Sequence, residues 1–323
     1  MEKQKIYISS IHILKEVNNK MKKGLIATSF VILTIFCTIF LSGCGSSQGG
    51  TSPTDYHTGN QGIVFSFMQN SPPTEVFNGD RVPFVVEIKN QGAHPTTPMF
   101  WLTGYDRSII RFSPHHWEGA TSSKRQLEAR DENNPIGGYD TLEANSVSIV
   151  LPEEVDSYNT NMKLTACYPY VTHASAQVCV DPDPTQNQDD ACTTGVVSLG
   201  SGQGGPVAVT HIEQAASQGK VRFTITVSNV GDGTVIEQGA VGTCTNLKQS
   251  QIDVVDVKWG TVAGKGFTEC KPNPIRLVNG RGVVYCEASL GGLPNTAFTS
   301  LVSIEISYGY KSSISRSISI KRI

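Results

Sequence analysis

Val82-Pro83-Phe84-Val85-Val86-Glu87-Ile88-Lys89-Asn90-Gln91-Gly92 is answered 139 residues later by Val221-Arg222-Phe223-Thr224-Ile225-Thr226-Val227-Ser228-Asn229-Val230-Gly231. In both stretches an apolar side chain occupies every second position, and Asn-x-Gly closes the run. Period two puts one face of an extended strand on a core and the other in water. The Asn-x-Gly is expected to supply the positive-φ positions of a strand-ending turn. Upstream, Gly62-x-Val64-x-x-Phe67 matches Gly205-x-Val207-x-x-Thr210 more weakly, as suits an edge strand. Downstream, Tyr168-Pro169-Tyr170 through Val178 and Val180 lines up with Tyr308-Gly309-Tyr310 through Ile318 and Ile320 at a shift of 140. Nearly equal shifts at both ends mean that whole units repeat. A first strand, a long central strand and a closing hairpin in each unit have the strand economy of an immunoglobulin-like sandwich. The expectation is an all-β chain of two tandem immunoglobulin-like β-sandwiches, 62–196 and 205–323, with a Gly/Ser linker at 197–204.

Composition agrees with that class. Gly 31, Pro 16 and only 17% charged residues in a 323-residue chain suit a turn-rich β protein better than a helical one. Residues 1–43 carry six of the 26 basic and two of the 28 acidic residues. The remainder, with 20 basic against 26 acidic, has a net charge of −6. No basic patch stands out, which argues against nucleic acid as a partner.

The N-terminal region reads as an export segment. Met21-Lys22-Lys23 is a short positive stretch, Gly24 to Phe40 is an apolar run, and Leu41-Ser42-Gly43-Cys44 follows. This segment resembles the bacterial and archaeal lipoprotein signal, an aliphatic residue, a small residue, Gly or Ala, then Cys. The resemblance implies a signal peptide over 1–43, with an alternative start at Met21. It also implies a lipid on Cys44 and an extracytoplasmic protein held on the membrane by that lipid. Residues 44–61, rich in Gly, Ser, Thr and Gln, are expected to be a flexible tether. A competing reading is a pilin-like filament subunit cut after Gly24, although Ser29 stands where such leaders often carry Glu. An uncleaved membrane anchor is disfavoured, because the apolar run falls short of the roughly 20 residues a span needs.

Strands ending in Asn90-x-Gly92 and Asn229-x-Gly231, in units of this length behind a lipoprotein signal, are similar to the adhesion-related CARDB-like immunoglobulin-type domains. Those occur in tandem on bacterial and archaeal surface proteins. The resemblance implies a structural or adhesive surface module with no catalytic residues and no cofactor.

Besides Cys37 and Cys44 the chain has Cys167, Cys179, Cys192, Cys244, Cys270 and Cys286. An even number in an exported protein argues for disulfides, and six cysteines allow fifteen connectivities. At a shift of 140, Cys167 and Cys179 fall on Ser307 and Ser319. Their joint loss from the second copy suggests that they pair across a closing hairpin. Cys270 and Cys286 flank a second hairpin with turns near Asn273-Pro274 and Asn279-Gly280, which leaves Cys192 for Cys244. The competing set pairs Cys179 with Cys192 and Cys167 with Cys244.

Asp181, Asp183, Asn187, Asp189 and Asp190 offer hard oxygen ligands, and Asp181, Asp183, Asp189 and Asp190 are the candidate calcium ligands. The stretch lacks the Gly and terminal Glu of a known calcium loop, so a solvated turn is the competing reading. His115-His116-Trp117 reads as a surface loop, since neighbours on an extended chain face opposite ways. No nucleophile elbow, phosphate loop or His-Glu-x-x-His pattern occurs, which argues against an enzyme. The aromatics Trp101, Tyr105, Phe112 and Trp117 within 100–139 make a glycan or small-ligand receptor the other alternative. The leading expectation is a non-catalytic, lipid-anchored surface protein, an adhesive, envelope-organising or binding subunit whose partner is a surface protein or glycan.

The repeat makes a quantitative demand. If Phe223 faces the core of the second unit, Phe223→Ala should cost about 3–5 kcal/mol in equilibrium unfolding. A cost below about 1 kcal/mol would place the strand one residue out of register.

Overall fold

The computed structural model describes residues 55–112, 118–121, 126–145, 148–183, 185, 191–217, 219–292 and 296–323. The export segment with Cys44, most of the tether, His115-His116-Trp117, Asn187, Asp189 and Asp190 lie outside them. Asp55–Ile323 forms one compact unit.

The chain is all-β. Its strands are β1 (Ile63–Phe67), β2 (Glu75–Phe77), β3 (Pro83–Asn90), β4 (Met99–Thr103), β5 (Glu118–Thr121), β6 (Tyr139–Asn145), β7 (Ser157–Val180) and β8 (Val196–Ser198). The second half adds β9 (Val207–Ser217), β10 (Lys220–Asn229), β11 (Thr234–Ile236), β12 (Val254–Val262), β13 (Lys265–Lys271), β14 (Ile275–Arg276), β15 (Arg281–Ser289) and β16 (Phe298–Lys321). Two short 3-10 turns, Gln238–Thr243 and Gln249–Gln251, follow β11. One sheet runs β1-β3-β6, and a continuous path runs β5-β4-β7-β16-β12-β13-β15-β10-β9-β8.

The repeated strands face the core in the expected register. Val82, Phe84, Val86 and Ile88 are buried, and so are Val221, Phe223, Ile225 and Val227. The upstream match slides by one residue: Ile63 stands opposite Asn90 and Val207 opposite Asn229, so Ile63, not Val64, is the counterpart of Val207.

The expected closing hairpins are not hairpins. β7 and β16 are single strands of 24 residues each, paired antiparallel from Ser157↔Lys321 to Val180↔Phe298 without a break in register. Every even-numbered residue of β7 from Thr160 to Val180 is buried, so one unbroken period-two pattern serves first one half of the molecule and then the other. Pro169 lies inside β7. Thr96 Oγ1 donates to the Pro169 carbonyl, and within a strand N and C=O of one residue point to the same side. The imino nitrogen therefore faces away from β16, past the end of β4 at Met99↔Cys167, where no ladder bond is lost.

This ribbon joins the two repeats more closely than a linker does. β16 continues past Gly309 into the first half, where β2 pairs in parallel with Ser319–Lys321. Residues 197–204 also take part in the fold: β8 pairs with β9, and the Gly204 carbonyl accepts from Ala93 N–H and from Tyr170 Oη–H.

The four tyrosines of the two Tyr-x-Tyr motifs meet at the centre of the ribbon, each facing the other position of the opposite motif. Pro169 stands opposite Gly309, so Tyr168 faces Tyr310 and Tyr170 faces Tyr308, with ring centroids 5.8 and 5.9 Å apart. Each hydroxyl finds backbone partners. Tyr308 Oη accepts from Val207 N–H at 3.2 Å, as Tyr168 hydrogen-bonds the backbone of Ile63. Tyr170 Oη accepts from His94 N–H, as Tyr310 Oη accepts from Gly233 N–H.

The Asn-x-Gly turns are built around these rings. Asn90 Nδ2 donates to the His94 carbonyl and Asn229 Nδ2 to that of Gly233, while each Oδ1 accepts from the glycine two residues on. Neither Gly92 nor Gly231 has a positive φ. Close approach is what requires glycine there, because a Cβ would come within 1.8 Å of Tyr170 Oη at Gly92 and 2.5 Å of Tyr310 Oη at Gly231.

The disulfides are Cys167–Cys244, Cys179–Cys192 and Cys270–Cys286. The expected Cys167–Cys179 and Cys192–Cys244 pairs are thus replaced by the competing set. Twelve residues along one strand separate Cys167 from Cys179 by about 40 Å, far beyond the reach of a disulfide. Cys270 and Cys286 are directly opposed in the β13–β15 ladder, as the hairpin reading required.

Burial pushes the phenols of Tyr170 and Tyr310 up to about 12 and those of Tyr168 and Tyr308 well above their ordinary value. The unfolded chain loses these protons near pH 10, so their contribution to stability is complete below that pH and lost as pH rises above it. Spectrophotometric titration of the ten tyrosines should show four that ionise only as the fold collapses. A single phase embracing all ten at an ordinary phenol value would contradict the buried cluster.

Candidate functional site

Three strands present a polar and aromatic row on the outer face of the second half. Odd-numbered residues of β7 and β16 point away from the sandwich interior, which places His173 opposite Glu305. On the far side of β16, Trp259 of β12 also stands opposite Glu305. Trp259 Nε1 donates to Glu305 Oε2 at 2.7 Å, and His173 Nδ1 lies 3.5 Å from the same oxygen. Ser175 and Ser303 share a hydroxyl hydrogen bond one step along the ribbon. Trp259 is 45% exposed. The carboxylate thus holds the indole nitrogen while much of the side chain stays open to solvent.

Period two alone would have hidden this tryptophan. Val255, Val257 and Trp259 read as one inward face, yet the register between β12 and β16 shifts between Val257 and Trp259. The resulting bulge exposes Lys258 and Trp259 together. Bulges commonly re-aim a side chain in this way. The sequence carries no local signal for the bulge beyond the polar Lys258 and the following Gly260.

At the open edge of β7 the row meets a cleft of about 690 Å³ lined by Asp55, His57, His173, Gln177 and Gln203. His57 Nδ1 lies 3.6 Å from Asp55 Oδ1. An exposed indole beside imidazoles, carboxylates and amides suits a ligand with an apolar face and many hydroxyls.

Of the aromatics that had suggested a ligand platform over 100–139, the three described ones, Trp101, Tyr105 and Phe112, pack in or against the core instead. Trp101 is 8% exposed and packs with Cys167, Ile236, Val241 and Cys244. Tyr105 and Phe112 meet edge-to-face at 5.5 Å and pack on the main core. Trp101 stands opposite Thr165 and Trp259 opposite Glu305, and 165 and 305 are counterparts at the shift of 140. The same outward tryptophan is therefore covered in the first half and bare in the second.

The acidic stretch is stapled at its base by Cys179–Cys192. Asp181 Oδ1 accepts from Asp183 N–H at 3.0 Å, and Asp183 Oδ1 accepts from the Thr185 N–H and hydroxyl. Both described carboxylates thus cap turns in their own loop. Among the described residues no three His, Cys, Asp or Glu side chains gather as a metal site.

No family model matches the chain, and no curated protein matches it. Among solved structures it is similar to the YadV chaperone at 12% identity, over 78% of this chain and 99% of that one, with a TM-score of 0.19. So low a score supports no argument about fold or function.

The two tryptophans should separate by stability. Trp101→Ala should cost about 3–5 kcal/mol in chemical denaturation, as expected for a large core residue. Trp259→Ala should cost less than about 1 kcal/mol. Equal losses at the two positions would mean that Trp259 is buried in solution.

Proposed function

We propose that this chain is a non-catalytic, lipid-anchored surface protein whose folded part is a rigid binding or structural module held away from the membrane. The observation that carries the reading is the lipobox Leu41-Ser42-Gly43-Cys44 ahead of a Gly/Ser-rich tether and a disulfide-tied β fold. Three disulfides fit an oxidising, extracytoplasmic compartment. Two lipid chains on Cys44, at about 0.8 kcal/mol per buried CH₂, would hold it on a bilayer where one chain would not.

The CARDB-like resemblance supports adhesion or envelope organisation as the role. A glycan is the second reading, favoured now by the Trp259–Glu305–His173 row and its neighbouring cleft. A pilin-like subunit processed after Gly24 remains the alternative from another class. Its mature chain would start at Leu25 and carry no lipid, so intact mass separates the two.

Cys44→Ser should release the protein from the membrane fraction or leave it with an unprocessed mass. Tight fractionation with membranes at the wild-type mature mass would rule out the lipoprotein reading. Wild-type protein and Trp259→Ala applied to an immobilised glycan panel test the second reading, which predicts retention of the first and loss of the second.

A further inference from the structure

The repeat contains its own control for an open strand edge. β1 and β9 are counterparts, each pairing with the repeated strand of its half and each opposing that strand's terminal asparagine. The outer edge of β9 is occupied. β8 pairs with it antiparallel, Val196↔Glu213 to Ser198↔His211. Leu199 N–H then donates to the Thr210 carbonyl, and the Gln203 side chain bonds both backbone groups of Val209. Val197 and Leu199 turn inward and pack on the core.

The outer edge of β1 has no strand beside it among the described residues, since β1 ends its sheet. Residues Asp55–Asn60, which precede β1 as 199–204 precede β9, run to the other half instead. His57 lines the cleft beside His173, the Gly59 carbonyl accepts from Gly204 N–H, and Asn60 Nδ2 donates to the Val230 carbonyl.

A cleft of about 320 Å³ lies along this edge, between β1 and Ser312–Ile314 of β16, with Tyr168 and Tyr310 in its lining. Ser312 Oγ is shielded from solvent and has no hydrogen-bond partner among the described residues. Burial along the ribbon shows the same gap. Thr172, Ala174 and Ala176 are buried, whereas their counterparts Ser312, Ile314 and Arg316 are only half-buried, although all six face a sandwich interior. Among the described residues, then, no strand closes the interior of the first half where β8 closes that of the second.

We propose that the edge of β1 accepts an extended strand from a partner protein, laid antiparallel as β8 lies on β9. Main-chain bonds to a free edge give affinity in such pairing, and pockets for alternate side chains give selectivity. The occupant presents aliphatic side chains two residues apart, as Val197 and Leu199 do. The cleft has an electrical direction as well. Asp232 lies near the start of β1, and near its end Arg316 Nη1 reaches the Met68 carbonyl at 3.5 Å. An antiparallel occupant therefore carries an acidic residue before its aliphatic pair and a basic one after it. Residues 45–54 of this chain, all Gly, Ser, Gln, Thr or Pro, supply no such pair. The inference stands apart from the lipid anchor, which it neither needs nor tests.

The probe is a synthetic peptide with the sequence of Thr194–Gln203 carrying Gly195→Asp and Ser201→Lys, so that it bears the acidic residue before and the basic residue after the aliphatic pair, added to the full chain and followed by amide hydrogen exchange and by fluorescence of a labelled peptide. Saturating peptide should slow exchange at Phe65 and Phe67 by about tenfold or more, as closure of an open edge requires. A peptide carrying Val197→Asp and Leu199→Asp should do nothing, and Ser312→Phe, which fills the cleft, should abolish binding. Unchanged exchange in β1 at saturating peptide overturns the proposal, and the wild-type exchange result stands even if the Ser312→Phe protein does not fold. Binding that Ser312→Phe leaves intact in a folded variant overturns it too. Protection of Phe65 and Phe67 that rises with protein concentration in the absence of peptide would assign the slot to a second copy and overturn the partner reading.

Discussion

The antiparallel ladder between β7 and β16 is the constraint on which the rest of the molecule depends. Twenty-four residues pair with twenty-four, from Ser157↔Lys321 to Val180↔Phe298. An open two-stranded ribbon of that length is only marginally stable in water, so it persists because both halves of the molecule pack on it. β4 extends it on one side in the first half, and β12 extends it on the other side in the second. The inward face of each strand is shared between two interiors. Destabilising either interior is therefore expected to loosen the strand that closes the other, and the halves should unfold together.

The midpoint of the ladder imposes a further condition, that four large phenols share a small volume without leaving polar groups unmet. A buried unpaired hydroxyl costs about 1–3 kcal/mol. The structure meets the condition by sending each hydroxyl to the backbone where its half begins or turns: Ile63, His94, Val207 and Gly233. That solution needs the backbone close to the rings. Gly92 and Gly231 let it come close, and Asn90 and Asn229 hold the turn in place from the side. Asn-x-Gly and Tyr-x-Tyr, about eighty residues apart in each repeat, are thus two parts of one device.

What the sequence disclosed follows from which forces are local. Period two along 82–90 and 221–229 is imposed by one strand on one core, and it placed every inward residue of both strands. The same pattern runs through 157–180, but the joint loss of Cys167 and Cys179 from the second copy invited a closing hairpin there. Only the position of β4 relative to Pro169, a non-local fact, shows why the proline is harmless in a straight strand. The cysteine pairing failed for a related reason. Loss of Cys167 and Cys179 together from the second copy suggested one bond, whereas each pairs with a different cysteine, Cys167 with Cys244 at 77 residues' separation and Cys179 with Cys192 at 13. Trp259 was out of reach because the bulge that exposes it depends on its register against β16.

Duplication followed by divergence gives a physical criterion for where to look for function. Two copies under the same folding constraints keep what the fold requires, which here is the repeated strand, the asparagine turn and the tyrosine pair. They differ where one copy is completed by its own chain and the other is not. Trp101 is covered by the segment that carries Cys244, while Trp259 is bare. The edge of β9 is filled by β8, while the edge of β1 adjoins a cleft. Folding alone does not call for either exposure, because in each case the other copy shows that this chain can build the cover. Exposed apolar surface and open strand edges carry an aggregation cost that natural proteins usually suppress. Among the described residues one of each is left open, on different halves, and this is the pattern on which the proposed glycan face and the proposed strand-accepting edge both rest.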